Sequence, residues 1–498
     1  MHQTPNLSGA EGTRGWRMLL TLLSATLLWV GGDGSIVHAA PPVTIDPRRS
    51  LVVTEAAILA RFPFARVMDQ LVEQSGVAGL TSLELFQQWW DTQNPRPSLG
   101  LGPHCDDEGN GDGDPSLNDF PYTCRPTPSE GGQIHAEPFE DPDTNPEAYI
   151  PIGLFNRFDL APSGGFHCGE YRIVYAKRSG IDNARERNLL IFEAAQPNPH
   201  PHQGLEGCRK IVEFWADLSK ETDVDKRADA LERLYFEGLG NIEPVVHVRH
   251  YGDNPQQTGQ VRTNQFIQAP SSAWSLREFQ LKRTCQGGSC RLQFIPVTDK
   301  VNPFGELHNA DRDDATAMGY REHFLTQIRV NTEEADEPLK GLAATTLYDM
   351  QFDVPNDTYN TGQSQASGSD ENKYDVHFES ATDPSFKHAI QAALDGLASD
   401  LTPAQIILRA EAHSCAGCHR LLNNVALGGG LTWPPSLGFT HVTERETEVV
   451  AGQQRFKISP ALLNVFLPQR QQIMADYLNH KLKKPKKPTD TLSGRKTH

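Results

Sequence analysis

Five consecutive residues carry the clearest chemistry in this chain: Cys415-Ala416-Gly417-Cys418-His419. Two thiols three positions apart lie about one helical turn apart, so both can form thioether bonds with the two vinyl groups of one porphyrin. The histidine beside the second thiol can then direct a ring nitrogen at the iron. The pattern predicts one covalently attached haem c per chain, with Cys415 and Cys418 as attachment points and His419 as the proximal iron ligand.

Three other uses of the cysteine pair are a reduced zinc site, a plain disulfide and a dithiol redox motif. The redox motif of thioredoxin-like proteins begins a helix that follows a strand. Here Thr402-Pro403 and Gln405 form a capping box, which predicts a helix that leads into Cys415. The order helix then motif therefore disfavours the thioredoxin-like alternative, and the zinc site and the disulfide stay as alternatives to haem.

The second axial position of such a haem is less clearly specified. Residues 420–473 contain no methionine, and His441 is the histidine of that stretch. We therefore take His441 as the candidate distal iron ligand, against an open iron or a ligand such as His413 or His480. Two histidine ligands favour electron transfer, whereas an open iron permits chemistry on peroxide or small gases. Trp433, Arg445 and Arg455 are candidates for contacts with the haem propionates.

The segment around the motif resembles the core of a class I c-type cytochrome. A helix enters the motif, a loop follows, and a closing helix begins at Pro468 with Ile473, Met474 and Tyr477 along one face. The resemblance covers about 80 of the 498 residues. It implies a small all-α haem module at 401–480, attached to an otherwise uncharacterised exported bacterial protein.

The N-terminus predicts export. Arg14 and Arg17 precede an apolar stretch at 18–30, and small residues lead to Ala39. This is the pattern of a secretory signal peptide at 1–39, cut near Ala39. The apolar stretch is too short to span a bilayer, so we expect no integral membrane span in the mature chain. The predicted location is the periplasm or the extracellular space.

The cysteines outside the haem motif agree with an oxidising compartment. Six remain, an even number that fits three disulfides. Pairing of sequence neighbours (105–124, 168–208 and 285–290) is the simplest of 15 connectivities. A metal site built from these cysteines is the weaker alternative, because none of them forms a second C-x-x-C.

The charge distribution excludes one class of partner. The formal net charge is −17 even with a basic tail at 481–498. An acidic body without a basic stripe disfavours binding to nucleic acid. The basic tail is typical of a solvated, disordered segment. A redox partner protein is expected, and the sequence does not identify it.

The predicted fold class is α+β, in separate parts. Periodicity and turn residues predict a helical segment with an acidic Gly/Asp/Pro-rich loop at 40–148, and a β-rich domain with helical insertions at 149–310. A helix and loop region at 311–400 would connect that domain to the all-α module at 401–480. One of the predicted strands is Val245–His250.

The β-rich region carries no catalytic motif that we recognise. His200 and His202 have metal-binding side chains without enough partners, and His247 and Arg249 would share one face of the predicted strand. The sequence thus predicts an exported haem-binding protein with a role in electron transfer or haem-dependent redox chemistry, such as an oxidoreductase subunit. The alternative is a secreted binding or structural protein in which haem acts as a sensor or a stabilising element.

Overall fold

The computed structural model describes residues 43–125, 130–266, 274–329, 339–366 and 371–481. The predicted signal peptide at 1–39 and the basic tail beyond Lys481 lie outside these residues. The described residues belong to one compact unit. Within them, no helix combines the length and the apolar character needed to cross a membrane.

Strands and helices alternate irregularly along the chain. The strands are β1 Val52–Val53, β2 Ser116–Leu117, β3 Phe120–Pro121, β4 Tyr149–Arg157, β5 His167–Lys177, β6 Asn188–Pro197, β7 Gln260–Gln265, β8 Ser275–Gln286, β9 Ser289–Val297, β10 Ser364–Gln365, β11 Ala426–Gly428, β12 Leu431–Thr432, β13 Val442–Val450 and β14 Gln453–Ile458. The helices are α1 Pro47–Ser50, α2 Ala56–Leu59, α3 Phe64–Ser75, α4 Ser82–Asp91, α5 Arg209–Lys220, α6 Val224–Phe236, α7 Ala315–Ile328, α8 Asn356–Tyr359, α9 Tyr374–Ser380, α10 Ser385–Gly396, α11 Pro403–Glu411 and α12 Leu467–Leu478.

The centre of the molecule is one antiparallel sheet of eight strands, in the order β1-β4-β5-β6-β7-β8-β10, with β9 paired to β8. Its long strands are the β-branched and aromatic runs that the sequence predicts as strands. The predicted strand Val245–His250 is wrong: Val248–His250 forms a turn of 3₁₀ helix. Its backbone instead pairs with the end of α6, where Val245 donates to Leu234.

One face of the sheet forms the main apolar core. Successive side chains of a strand point to opposite faces, and Tyr175, Phe192 and Phe279 point to this one. The neighbouring tryptophans of α4 pack here, with Trp89 stacked on Phe294 at 4.3 Å between ring centroids and edge-on to Phe192. The tryptophan pair therefore packs in this core.

The opposite face is polar as well as apolar, and the C-terminal part of the chain covers it. Residues Phe155, Arg172, Ile191, Arg262 and Leu276 alternate with the core residues on their strands and face this second side. Because both faces are covered, arginine and glutamate on the central strands are buried, and they need partners inside the protein.

The predicted separate all-α module at 401–480 is wrong. Between α11 and α12 the chain forms two β-hairpins, β11–β12 and β13–β14. From Ala412 onward its buried apolar residues pack into the core of the central sheet, whereas those of α11 join a second core with α7, α9 and α10. Phe158 and Tyr477, for example, lie edge-on at 4.8 Å.

The N-terminal helical segment is not separate either. Strand β1 pairs with β4, so this segment supplies one edge of the central sheet. Buried Glu55 also forms ion pairs with Arg227 of α6 at 2.7 Å and with Arg455 of β14 at 2.9 Å. The observed fold is a mixed α and β structure organised around one antiparallel sheet, because each end of the chain buries its apolar residues against that sheet.

The three neighbour disulfides are confirmed: Cys105–Cys124, Cys168–Cys208 and Cys285–Cys290. Cys285 and Cys290 face each other across the β8–β9 hairpin. Three disulfides indicate an oxidising, exported environment. Six of the eight cysteines are thereby accounted for, and the remaining two are those of the C-x-x-C-H motif.

Candidate functional site

The motif lies where helical geometry changes. Helix α11 begins with the predicted capping box between Thr402 and Gln405. Cys415 and Ala416 are α-helical, and Gly417–Leu421 continues as a π-helical turn. A Cβ at Gly417 would collide with the carbonyl oxygen of Glu411, so only glycine fits at position 417. Single π-helical turns are frequent at functional sites.

Cys415 and Cys418 are buried and are not joined in a disulfide. The sulfur of Cys418 lies 3.3 Å from Nε2 of His441. Burial, together with the nearby Asp299 carboxylate, raises the pKa of the Cys415 thiol well above its usual value. A reactive redox cysteine needs a lowered pKa, so this environment disfavours dithiol redox chemistry and suits a thiol that is consumed in a stable bond.

His419 is held by its ring nitrogen Nδ1, which lies 2.7 Å from the carbonyl oxygen of Phe439. Because a carbonyl only accepts, the proton sits on Nδ1 and the lone pair on Nε2. Burial lowers the pKa of His419 to about 4, so the ring is neutral at neutral pH. A neutral imidazole whose second nitrogen is anchored to a backbone carbonyl is the usual form of a metal ligand.

His441 lies beside His419, with 4.7 Å between the two ring centroids. Its Nδ1 lies 2.8 Å from the hydroxyl of Ser459. Burial, together with nearby His419 and Arg470, lowers the pKa of His441 well below its usual value. The fold thus brings the two thiols and both histidines of the sequence prediction into one cluster.

The loop that carries His441 is fixed to the sheet. Arg187 at the start of β6 pairs with Glu444 at 2.6 Å and donates to the carbonyl oxygen of Gly438 at 2.9 Å. Asn264 of β7 donates to the carbonyl oxygen of Phe439 at 2.9 Å, the same oxygen that His419 contacts. These bonds hold Phe439 at a φ of 69°, a conformation that costs energy for a residue other than glycine.

A cavity of about 80 Å³ lies between the two histidines and the second face of the sheet. This volume is below the roughly 300–1,000 Å³ of pockets that hold ligands, so a cofactor can enter only if the segments that cover the sheet move outward. Its lining residues are Phe155, Arg157, Arg172, Val174, Leu189, Ile191, Glu193, Arg262, Asn264, Leu276, His419, Thr440, His441, Val442, Leu462, Phe466 and Arg470. Eight of these 17 residues are apolar and nine are polar or charged, and the segment Leu462–Phe466 is itself a second π-helical turn.

Four arginines line this cavity: Arg157, Arg172, Arg262 and Arg470. Their carboxylate partners are arranged along the sheet, with Arg172 on Glu193 at 2.9 Å and Arg262 on Glu278 at 2.8 Å. Arg157 binds Asp159, yet its buried Nη1 has no hydrogen-bond partner among the described residues. The same holds for Nε of Arg172. A buried donor without a partner is costly, which indicates an anionic ligand at this wall.

Sequence reasoning missed these arginines. Arg172 and Arg262 stand out in the sequence because each interrupts a strand that is otherwise apolar or is buried on both faces. A strand pattern alone does not tell which face of the sheet receives them. Arg455 instead pairs with Glu55, and Arg445 is exposed, with Nε near the carbonyl oxygen of Ile181. Neither of them, nor Trp433, lines the cavity.

The other two histidines considered as axial ligands lie elsewhere. His413 is buried near Phe352, at 6.3 Å between ring centroids. His480 contacts Arg209 at 3.2 Å. Neither belongs to the cavity lining, so His441 is the candidate that the fold places beside His419.

Comparison with protein-family models, with curated proteins and with solved structures gives no match. The predicted membership of the class I c-type cytochromes is wrong. The segment at 401–480 contains hairpins and shares the core of the large sheet, whereas that class folds as a small helical module. The cluster of potential metal ligands recognised among the described residues also lies elsewhere, at Glu243, His247 and His250.

The residues around the motif nevertheless suit a haem by their chemistry. They combine two buried thiols, neutral histidines, apolar walls and arginines with unused donors. The distance between the two histidines has to increase, because a macrocycle does not fit between two imidazoles whose centroids are 4.7 Å apart. His441 therefore has to move away from His419 for both to face a bound ring.

Proposed function

We propose that this chain is an exported protein that carries one covalently attached haem and uses it in electron transfer or another redox role. The observation that carries the proposal is the cavity between the C-x-x-C-H segment and the arginine-bearing face of the sheet. The fold around it is not that of a class I cytochrome, so the proposal rests on the site and not on a fold family.

Cys415 and Cys418 would hold the macrocycle by one edge. Cys418 lies in the π-helical turn and His419 follows it directly; of the motif residues, His419 lines the cavity, so the ring would extend from the thiols past His419. The Nδ1 bond to Phe439 fixes the orientation of the His419 ring, which is the role of an outer partner in a metal site.

The arginine wall would bind the two propionates. Arg157 and Arg172 each have a buried nitrogen without a hydrogen-bond partner among the described residues, and guanidinium groups match carboxylates in geometry and charge. Apolar residues such as Phe155, Ile191 and Phe466 would cover the faces of the macrocycle and exclude water. Such exclusion tunes the redox potential of a bound haem.

His441 is the proposed second axial residue. Its Nδ1 contacts Ser459 as that of His419 contacts Phe439, and its Nε2 lies against the sulfur of Cys418, so binding of an iron by His441 requires this contact to break. When bound, haem supplies one-electron redox chemistry. In this proposal the protein binds the cofactor, keeps both histidines neutral and shields the iron from solvent.

The decisive experiment is a pyridine haemochrome spectrum of the chain produced together with a cytochrome c maturation system. We expect a covalent haem spectrum with one haem per chain, and loss of covalent attachment in the double variant C415S/C418S. C285S/C290S is the matched control, since it removes another closely spaced cysteine pair, and it should keep its haem. Absence of covalent haem in the unmodified chain would overturn the proposal.

A redox titration of the haem-loaded chain tests the role of the cofactor. Reversible reduction, with a changed potential in His441→Ala, supports electron transfer through an axially ligated iron. A haem that cannot be reduced reversibly would contradict the redox role and would favour the alternative, a secreted binding protein in which haem is a sensor or a stabilising element.

A further inference from the structure

A second cluster of ligand-type side chains lies in the turns that follow α6. It consists of Glu243, His247 and His250, and one ligand atom from each lies within 4.8 Å of the others. The backbone holds the turn in place: Gln196 of β6 donates to the carbonyl oxygen of Glu243 at 2.9 Å, and His250 donates its amide to the carbonyl oxygen of His247.

Both ring nitrogens of His250 face acceptor oxygens. Its Nδ1 lies 3.2 Å from the carbonyl oxygen of Val245, and its Nε2 lies 3.1 Å from a carboxylate oxygen of Glu243. Both neighbours are pure acceptors, and a neutral imidazole has one proton for the two of them. A metal ion between Nε2 and the carboxylate, with the single proton on Nδ1, would satisfy both contacts of this ring, which is 1% exposed.

His247 completes the set. Its ring lies 4.8 Å from that of His250, measured between centroids, so the two imidazoles are close enough to bind one metal ion. The second carboxylate oxygen of Glu243 pairs with Arg249 at 2.7 Å, which leaves one oxygen to act as a single-point ligand.

We propose that Glu243, His247 and His250 bind a divalent transition metal, with zinc as the best match. Two imidazoles and one carboxylate form a ligand set that zinc uses in sites with an open fourth position. Glu243 and His250 also line a surface cleft of about 330 Å³, together with Asn241, Asn198 and Asp253. The open position would face polar side chains and water, rather than a fourth protein ligand.

Isothermal titration of chelator-treated protein with ZnCl₂, checked by metal analysis, tests this site. The protein is the mature chain in its C415S/C418S form, so that neither haem iron nor the motif thiols contribute. We expect one zinc per chain, and binding at least ~100-fold weaker in His250→Gln and Glu243→Gln, since even outer-shell changes cost 10–100-fold. His202→Gln is the control, because this exposed histidine lies outside the cluster, and it should bind like the parent.

Because His250 is buried, His250→Gln can lose zinc through misfolding alone, and a variant at a less buried ligand serves as the check. His247→Gln replaces a half-buried ring, and it should lose zinc while its circular dichroism spectrum and its thermal unfolding match those of the parent. Absence of stoichiometric zinc in the parent protein, or undiminished binding in all three variants, would overturn the proposal. Neither result depends on whether haem is attached at Cys415.

Discussion

His419 and Phe439 are joined by a 2.7 Å hydrogen bond between Nδ1 of the imidazole and the backbone carbonyl oxygen. The bond links the π-helical turn of the C-x-x-C-H motif to a loop 20 residues later, and Asn264 of the central sheet binds the same oxygen. A single carbonyl thus connects the motif, the loop that carries His441 and the sheet face. The orientation of the proposed haem ligand depends on all three.

Arg187→Met should loosen this arrangement from a distance. The substitution removes the buried ion pair with Glu444 and the bonds to Gly438 and Thr440, and leaving one partner of a buried pair uncompensated costs about 3–5 kcal/mol. We expect that decrease in the free energy of unfolding by urea denaturation. Arg178→Met removes an exposed pair with Asp182 and should cost less than about 1 kcal/mol. Equal effects of the two variants would contradict the anchoring role of Arg187.

Arg157→Lys should weaken haem binding without removing charge from the arginine wall. Lysine keeps the attraction to Asp159 but loses the fork that presents the unpartnered Nη1. Loss of one charge-assisted hydrogen bond of about 1.5–3 kcal/mol weakens binding by roughly 10- to 100-fold. The measurement is a haemin titration of C415S/C418S protein, where attachment does not mask affinity. Arg178→Lys, outside the cavity, serves as the control, and equal affinities would place the propionates elsewhere.

The disulfides Cys168–Cys208 and Cys285–Cys290 close loops of different length and should therefore differ in their contribution to the free energy of unfolding. Cys168–Cys208 closes a separation of 40 residues, and Cys285–Cys290 one of 5. The chain-entropy estimate gives about 4 kcal/mol for the first and about 2 kcal/mol for the second. Serine pairs at each position, compared by urea denaturation, should reproduce that order. A larger loss at the hairpin disulfide would show that loop entropy does not dominate.

Burial of His308 should make the free energy of unfolding decrease in acid, independently of the proposed haem site. Burial lowers its pKa to about 3, while the unfolded chain takes up the proton near pH 6.5. The unfolded state therefore binds more protons between these values, so stability is complete above about pH 6.5 and falls as the pH drops toward 3.

The test of His308 compares the pH dependence of urea unfolding in the parent and in His308→Leu. Leucine also leaves the hydroxyl of Tyr320 without its 2.7 Å partner, so overall stability falls, but the slope with pH should become shallower by an amount on the order of a few kcal/mol across the window. His202→Gln, at an exposed position, should keep the parent slope. An unchanged slope in His308→Leu would mean that His308 is protonated in the folded protein.

Local sequence determined much of what is local. The alternation of apolar residues predicted the long strands, the Thr402–Gln405 capping box predicted the start of α11, and neighbouring cysteines predicted all three disulfides. The spacing of Cys415, Cys418 and His419 also specified a chemistry, which stays a prediction. Such features depend on residues a few positions apart, where backbone geometry fixes the distances.

Only the tertiary structure decided where the C-terminal residues lie and what they face. The sequence suggested a helical module with its own core, yet from Ala412 onward its buried apolar residues pack into the core of the central sheet. That sheet face supplies Arg157, Arg172 and Arg262 from strands far away in sequence. The reason is physical: whether a charged strand residue faces solvent or a cavity depends on which segment covers the sheet, and residue spacing along one strand carries no information about that cover.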